Sequence, residues 1–221
     1  MKKLFFVLTI VFTQLFLAQS AKDIIDRNIE TTGGLINWKT LNSVILSGRV
    51  TLGINDEYPM TIYQQRPNLT KTTIIINKKE TAIEGYDGKK GYAMNYATNQ
   101  VQEYPSYVPE SFDNDFIDWE NKGFEAKFLG KEKVGNIDCF KVELTKNVNK
   151  TIYYFDTNNY FLVKEVKKNE TMLYSDYRKV GNLTFAFRME NSSPTKEGDY
   201  VITLNKIEVN KVFPTNTFKF K

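Results

Sequence analysis

The residue types that carry most protein chemistry are almost missing from this chain of 221 residues. It contains no histidine, which removes Ser-His-Asp triads, Cys-His pairs, imidazole metal sites and imidazole acid–base chemistry together. Its single cysteine, Cys139, can form no intramolecular disulfide. Alternating with Ile137, Lys141 and Glu143, it reads as a small buried or half-buried hydrophobe on a strand rather than a reactive thiol. Asp113 and Asp115 have the spacing of an acid–base pair. They sit, however, in a generally acidic segment with no nucleophile or metal-ligand cluster nearby, so they read as a solvated face. No enzyme is expected, and no catalytic residue, metal or cofactor. What remains is Arg66. Counting in twos from Met60 through Ile62 brings this always-charged guanidinium onto the apolar face of a strand, at the lip of a greasy surface.

The elements that position Arg66 form a strand meander from Tyr58 to Tyr96. Tyr58, Met60, Ile62 and Gln64 alternate along one face, the run stops at Arg66-Pro67-Asn68, a second strand climbs through Ile74-Ile75-Ile76, and Asp87-Gly88 turns into Tyr92-Met94-Tyr96. Before it, Val44, Leu46, Val50, Leu52 and Ile54 take one face of a half-buried strand. Alternation recurs in Phe124-Ala126-Phe128, Phe140-Val142-Leu144 and Leu183-Phe185-Phe187-Met189, with turns at Gly135-Asn136, Asn158-Asn159 and Gly181-Asn182. Ile202-Leu204 and Ile207-Val209 are out of phase, which predicts a bulge around Asn205-Lys206. The count is about a dozen consecutive antiparallel strands, too many to stay flat, so the expected architecture is mainly β, an unclosed half-barrel.

Two helices are expected beside this sheet. Ala21, Ile24, Ile25, Asn28 and Ile29 have helical spacing and Gly33-Gly34 supply the stop. Between Pro105 and Gly123, the residues Phe112, Phe116 and Trp119 recur at i, i+4 and i+7 over an acidic remainder, which predicts a short helix laying aromatics onto the concave face, as a lid or as plain core cover.

Met1-Lys2-Lys3 followed by an apolar run from Leu4 to Leu17 has the form of a signal peptide, with cleavage after Ala18 or Ser20, leaving 21–221 as one domain. The net charge of +4 falls to roughly +2 without that leader. Lysines scattered among acids argue against nucleic-acid binding. Export without disulfides points to a soluble bacterial periplasmic protein.

Arg66-Pro67-Asn68-Leu69 at a strand end, Asp87-Gly88-Lys89 leading into a strand with Tyr92, Asn99-Gln100-Val101, and a final Thr217-Phe218-Lys219-Phe220 occur in the order found in periplasmic lipoprotein carriers of the LolA type and their lipoprotein-sorting relatives. The sequence resembles that family across most of the chain after the leader, although Thr70 and Tyr92 stand where the family commonly has an aromatic residue and a tryptophan. The resemblance implies an unclosed β-barrel with a helical lid, a closing Phe-x-Phe strand, and a monomeric carrier of acylated lipoproteins; the alternatives are a binding protein for a free lipid or other hydrophobic ligand, and a non-catalytic sensor or interaction module of the same fold. Such a carrier takes cargo from an inner-membrane lipoprotein-releasing ABC transporter and yields it to an outer-membrane acceptor. It also implies that Arg66 holds the lid closed and governs release. The physical need for a carrier is large: three acyl chains expose roughly 45 methylenes, on the order of 35 kcal/mol. The expected cavity is faced by Leu46, Met60, Ile62, Arg66, Tyr92, Met94, Phe185, Phe187 and Met189, with Phe112, Phe116 and Trp119 in the lid. Met and aromatic side chains repack readily around acyl chains.

Overall fold

The computed structural model describes residues 20–53, 56–95, 97–105, 107, 109, 111–194 and 198–220. Residues 1–19 of the expected leader lie outside them, as do Ile54, Tyr96 and Glu110.

Helix α1 (Ala21–Thr31) starts where Ser20 and Asp23 cap each other: the Ser20 hydroxyl accepts from the Asp23 amide at 3.0 Å while the Asp23 carboxylate accepts from the Ser20 amide at 3.1 Å. Its buried residues are Ala21, Ile24, Ile25, Asn28 and Ile29, the set expected from their spacing. Gly33 has φ +133°, and a Cβ there would come within 2.5 Å of the Asn182 carbonyl oxygen, so only glycine lets the chain turn this close to the sheet. Helix α2 (Leu35–Thr40) follows.

Among the described residues thirteen strands make one antiparallel sheet. They are β1 (Ser43–Leu52), β2 (Asp56–Gln65), β3 (Leu69–Ile76), β4 (Lys79–Tyr86), β5 (Gly91–Asn95), β6 (Gln100–Tyr104), β7 (Glu125–Val134), β8 (Ile137–Lys146), β9 (Asn149–Asp156), β10 (Leu162–Val166), β11 (Thr171–Val180), β12 (Leu183–Ser192) and β13 (Tyr200–Val209). The order is β6-β5-β4-β3-β2-β1-β13-β12-β11-β10-β9-β8-β7. Two meanders therefore meet back to back at β1 and β13, and the two free edges, β6 and β7, are consecutive in sequence. The segment between them, 105–124, has to travel from one edge of the open sheet to the other.

That segment also measures how far the sheet is rolled. The Phe112 amide donates to the Pro67 carbonyl just beyond β2, and the Asp115 carboxylate accepts from the Tyr153 hydroxyl on β9. β2 and β9 are six places apart in the sheet, about 29 Å if it were flat. Three residue steps of chain span only about 11 Å. The sheet closes around the segment as a half-barrel without pairing its edges.

At the central seam Ser47 faces Lys206 while Gly48 faces Leu204, so Asn205 is the extra residue of the expected bulge. A Cβ on Gly48 would lie 2.2 Å from the Thr203 carbonyl oxygen, so the seam depends on glycine here. The largest core cluster packs α1 onto β8 and β9 through Ile24, Ile25, Val142, Leu144 and Phe155, with Phe116 and Ile117 of the crossing segment sealing it. A second cluster holds Val44, Phe187, Leu204 and Ile207; a third holds Val50, Met60 and Ile74.

Two expected elements differ. Over 111–124 the crossing segment is a succession of turns, not an α-helix. The Asn114 side chain accepts from the amides of Phe116 and Ile117 at 3.1 and 3.2 Å, and Asp118 adopts φ +53°, which breaks a helical ladder. The closing Phe218-x-Phe220 is not a strand either: after Pro214 the chain takes two tight turns, Thr217 to Pro214 and Lys219 to Asn216. It packs instead by its rings, Phe220 stacking on Tyr92 with centroids 4.4 Å apart and Phe213 meeting Tyr63 edge-on at 6.0 Å.

Candidate ligand-binding cavity

Arg66 follows directly on β2, and its backbone amide donates to the Asn42 carbonyl at 2.9 Å. Its guanidinium spends every arm. Nε donates to the Leu41 carbonyl at 2.6 Å and Nη2 to the Trp38 carbonyl at 2.9 Å, the exposed acceptors at the end of α2. Nη1 and Nη2 grip both oxygens of Asp113 at 2.5 and 2.6 Å, and the cation lies 5.0 Å from the centre of the Phe112 ring. Planar, forked and permanently charged, arginine suits this bidentate geometry as lysine would not. Asp113 and Phe112 belong to the crossing segment, so Arg66 ties it to α2 and to the end of β2.

Asp115 ties the same segment to the opposite wall through the Tyr153 hydroxyl at 2.7 Å. Behind it, Lys122 donates to the Asn114 carbonyl at 2.6 Å, its ammonium pushed below its ordinary pKa by burial and pulled back by Asp113, Asp115 and Asp118. The expected solvated carboxylate face is therefore a correction: Asp113 and Asp115 point inward, because the turns at Asn114 and Asp118 bring both acids to the sheet side.

Beneath the segment lies a cavity of about 410 Å³. Its apolar wall includes Leu46, Phe185, Met189, Leu204 and Ile207, with Trp38 meeting Phe185 edge-on at 5.3 Å; Phe112 and Phe116 form part of the roof. One corner is polar. Tyr174 donates to Glu165 at 2.7 Å, and Tyr177 donates to the Leu162 carbonyl at 2.7 Å. Lys167 shares its ammonium between Glu165 at 3.2 Å and Glu170 at 3.4 Å. Burial, then the charge of Glu165, drives the Tyr153 and Tyr174 hydroxyls far above the ordinary phenol range, so both stay protonated donors.

Of the residues expected at the cavity, Leu46, Phe185, Met189, Phe112 and Phe116 line it. Arg66 stands beside it at the latch, and Trp119 packs at the edge of the largest core cluster. Met60 and Ile62 fill the third cluster and Phe187 the second, as ordinary core. Tyr92 and Met94 belong to the other face: Tyr92 shares the register position of Gly85 and Lys71 and stacks on the C-terminal Phe220, and Met94 lines a shallow groove with the same ring. The cavity is thus shifted toward β9–β13. Sequence reasoning missed Asp113, Asp115, Tyr153, Glu165 and Tyr174. Tyr153 lies in the uniformly apolar run Ile152-Tyr153-Tyr154-Phe155, where no alternation marks a face, and Glu165 sits among lysines and reads as surface.

Solved structures with the same arrangement now decide the fold. A DUF1329 family protein from Desulfovibrio piger superposes with a TM-score of 0.60 at 13% identity, covering 90% of this chain and 95% of that one. A LolA superfamily protein from Nitrosomonas europaea gives 0.58 at 13% identity, covering 92% and 99%. The fold is LolA-like. A putative outer membrane lipoprotein-sorting protein domain from Vibrio parahaemolyticus shares this LolA-like fold, at 0.58 and 13% identity over 90% and 95% of the chains. No protein-family model matches the sequence, and no curated protein matches it. At such identities the likeness is one of fold, and what the LolA-like half-barrel does here rests on its own residues.

Proposed function

We propose that this protein is a non-catalytic carrier that binds acyl chains in the cavity beneath the crossing segment and delivers acylated cargo, lipoproteins foremost, toward the outer membrane. The observation that carries the reading is an apolar cavity roofed by the one segment that joins the free edges of the sheet, pinned by Arg66 on one side and Tyr153 on the other. A roof held by a few polar contacts over an apolar chamber can open without disturbing the sheet. Roof opening, governed by Arg66, is the release step. The LolA-like fold and a lipoprotein-sorting domain among its structural neighbours support the same reading. An inner-membrane lipoprotein-releasing transporter and an outer-membrane acceptor are its proposed partners, and a monomer in the periplasm its proposed state. Among the described residues no helix is long and apolar enough to cross a membrane.

A second reading, a free lipid as cargo, is favoured by size. At about 30 Å³ for each water-sized group, the cavity holds about 14 methylenes, one acyl chain. Trp38 on the cavity wall provides the test. Brominated acyl chains presented in vesicles quench its fluorescence if chains enter beneath the roof, and Trp38→Phe removes that quenching. No quenching of the unaltered protein, or quenching that Trp38→Phe leaves undiminished, contradicts entry into this cavity.

A further inference from the structure

The tyrosine and tryptophan donors on the cavity wall are engaged. The hydroxyls of Tyr153, Tyr174 and Tyr177 donate to Asp115, Glu165 and the Leu162 carbonyl, each at 2.7 Å. The Trp38 indole N–H donates to the Thr32 hydroxyl at 3.0 Å, and that hydroxyl donates to the Asn28 carbonyl at 2.7 Å. The Asn28 amide donates to the Tyr160 carbonyl at 2.8 Å, and Lys167 is divided between two glutamates. Asp115, by contrast, takes one side-chain donor, from Tyr153, and Glu165 takes two, from Tyr174 and Lys167, where a carboxylate has room for about four. Both acids lie on the cavity wall, and both act on the same Tyr153 hydroxyl, so they form one corner.

We infer that the cavity is built for a single-chain amphiphile whose head donates hydrogen bonds and carries no negative charge, an ammonium first and a hydroxyl second, seated against Asp115 and Glu165 with its chain along Leu46, Phe185 and Met189. An anionic head would lose its hydration to a corner whose one lining ammonium, Lys167, is already shared between Glu165 and Glu170, and would meet the carboxylates of Asp115 and Glu165. An ammonium exchanges water for charge-assisted acceptors instead. This inference rests on the carrier reading, in its single-chain form.

The test uses three probes with one chain length, tetradecylammonium, tetradecanol and tetradecanoate, titrated below their micelle concentrations into the full-length mature protein at neutral pH, with Trp38 fluorescence and calorimetry as readouts. Binding is expected to fall in that order, the ammonium at least tenfold tighter than the carboxylate. Glu165→Gln is expected to narrow that gap, chiefly by weakening tetradecylammonium. Tetradecanoate binding as tightly as tetradecylammonium overturns the headgroup assignment and leaves chain binding standing. Failure of all three probes to bind overturns the carrier reading along with it.

Discussion

Arg66 and Asp113 are separated by 47 residues and joined by two hydrogen bonds of 2.5 and 2.6 Å, with the same guanidinium holding two carbonyls of the α2 end. Both side chains are largely withdrawn from water, 26% and 19% exposed, so the pair is not screened like a surface contact. Removing the cation strands a half-buried carboxylate and two carbonyl oxygens. Arg66→Leu is expected to cost about 2 kcal/mol in urea unfolding and to raise hydrogen exchange at the amides of Phe112, Phe116 and Ile117. Arg66→Lys recovers charge but not the fork, and should fall between.

Tyr153→Phe tests the second pin. It leaves Asp115 without its 2.7 Å donor beside a buried wall, for a loss of about 1–3 kcal/mol. If the roof is held at both sides, exchange at Phe116 and Ile117 rises here too while the amides of β2 stay protected. The double variant with Arg66→Leu is then expected to exchange faster than either single one.

The central seam yields a prediction from one missing atom. With the Thr203 carbonyl oxygen 2.2 Å from where a Cβ would stand, Gly48→Ala forces β1 and β13 apart. A loss of about 2–3 kcal/mol is expected in urea unfolding, whereas Gly53→Ala, with nothing within 4 Å, perturbs no packing and costs only its positive φ of +58°.

Cys139 is fully buried, and burial pushes its thiol up to about 11. It should resist thiol reagents at pH 8 in the folded protein and react fully in urea. Because the folded pKa lies above the ordinary thiol value of 9.0, the unfolded chain releases its proton first as pH rises. Stability from this group is therefore complete below about pH 9 and declines through about pH 11. Cys139→Ala should flatten that decline.

Local periodicity was enough to place strands such as β1, β2, β8, β12 and β13, the first helix and even the bulge at Asn205, but not helix α2, whose six residues are too few to show a period. Which face of a strand meets the cavity was less legible. Tyr92 and Met94 alternate as well as Leu46 does, yet their face is covered by Phe220, more than a hundred residues away, which no local pattern reports. The roof was readable in its aromatic spacing, since Phe112 and Phe116 do face inward, but not in its backbone, where the Asn114 side chain captures amides that a helix would need. Arg66 stood out because a permanent charge broke an apolar face. Its partner Asp113 did not, because an acid in an acidic segment looks solvated until the fold turns it inward.

Native mass spectrometry with lipid extraction, on protein purified without detergent from the cells that make it and beside Arg66→Leu prepared in the same way, tests the carrier reading most directly. The account predicts one acylated molecule bound per chain, with occupancy altered by the loss of the latch. A protein that emerges empty, and stays empty when offered acyl chains, would mean that the chamber under the crossing segment is only core, and would contradict a carrier.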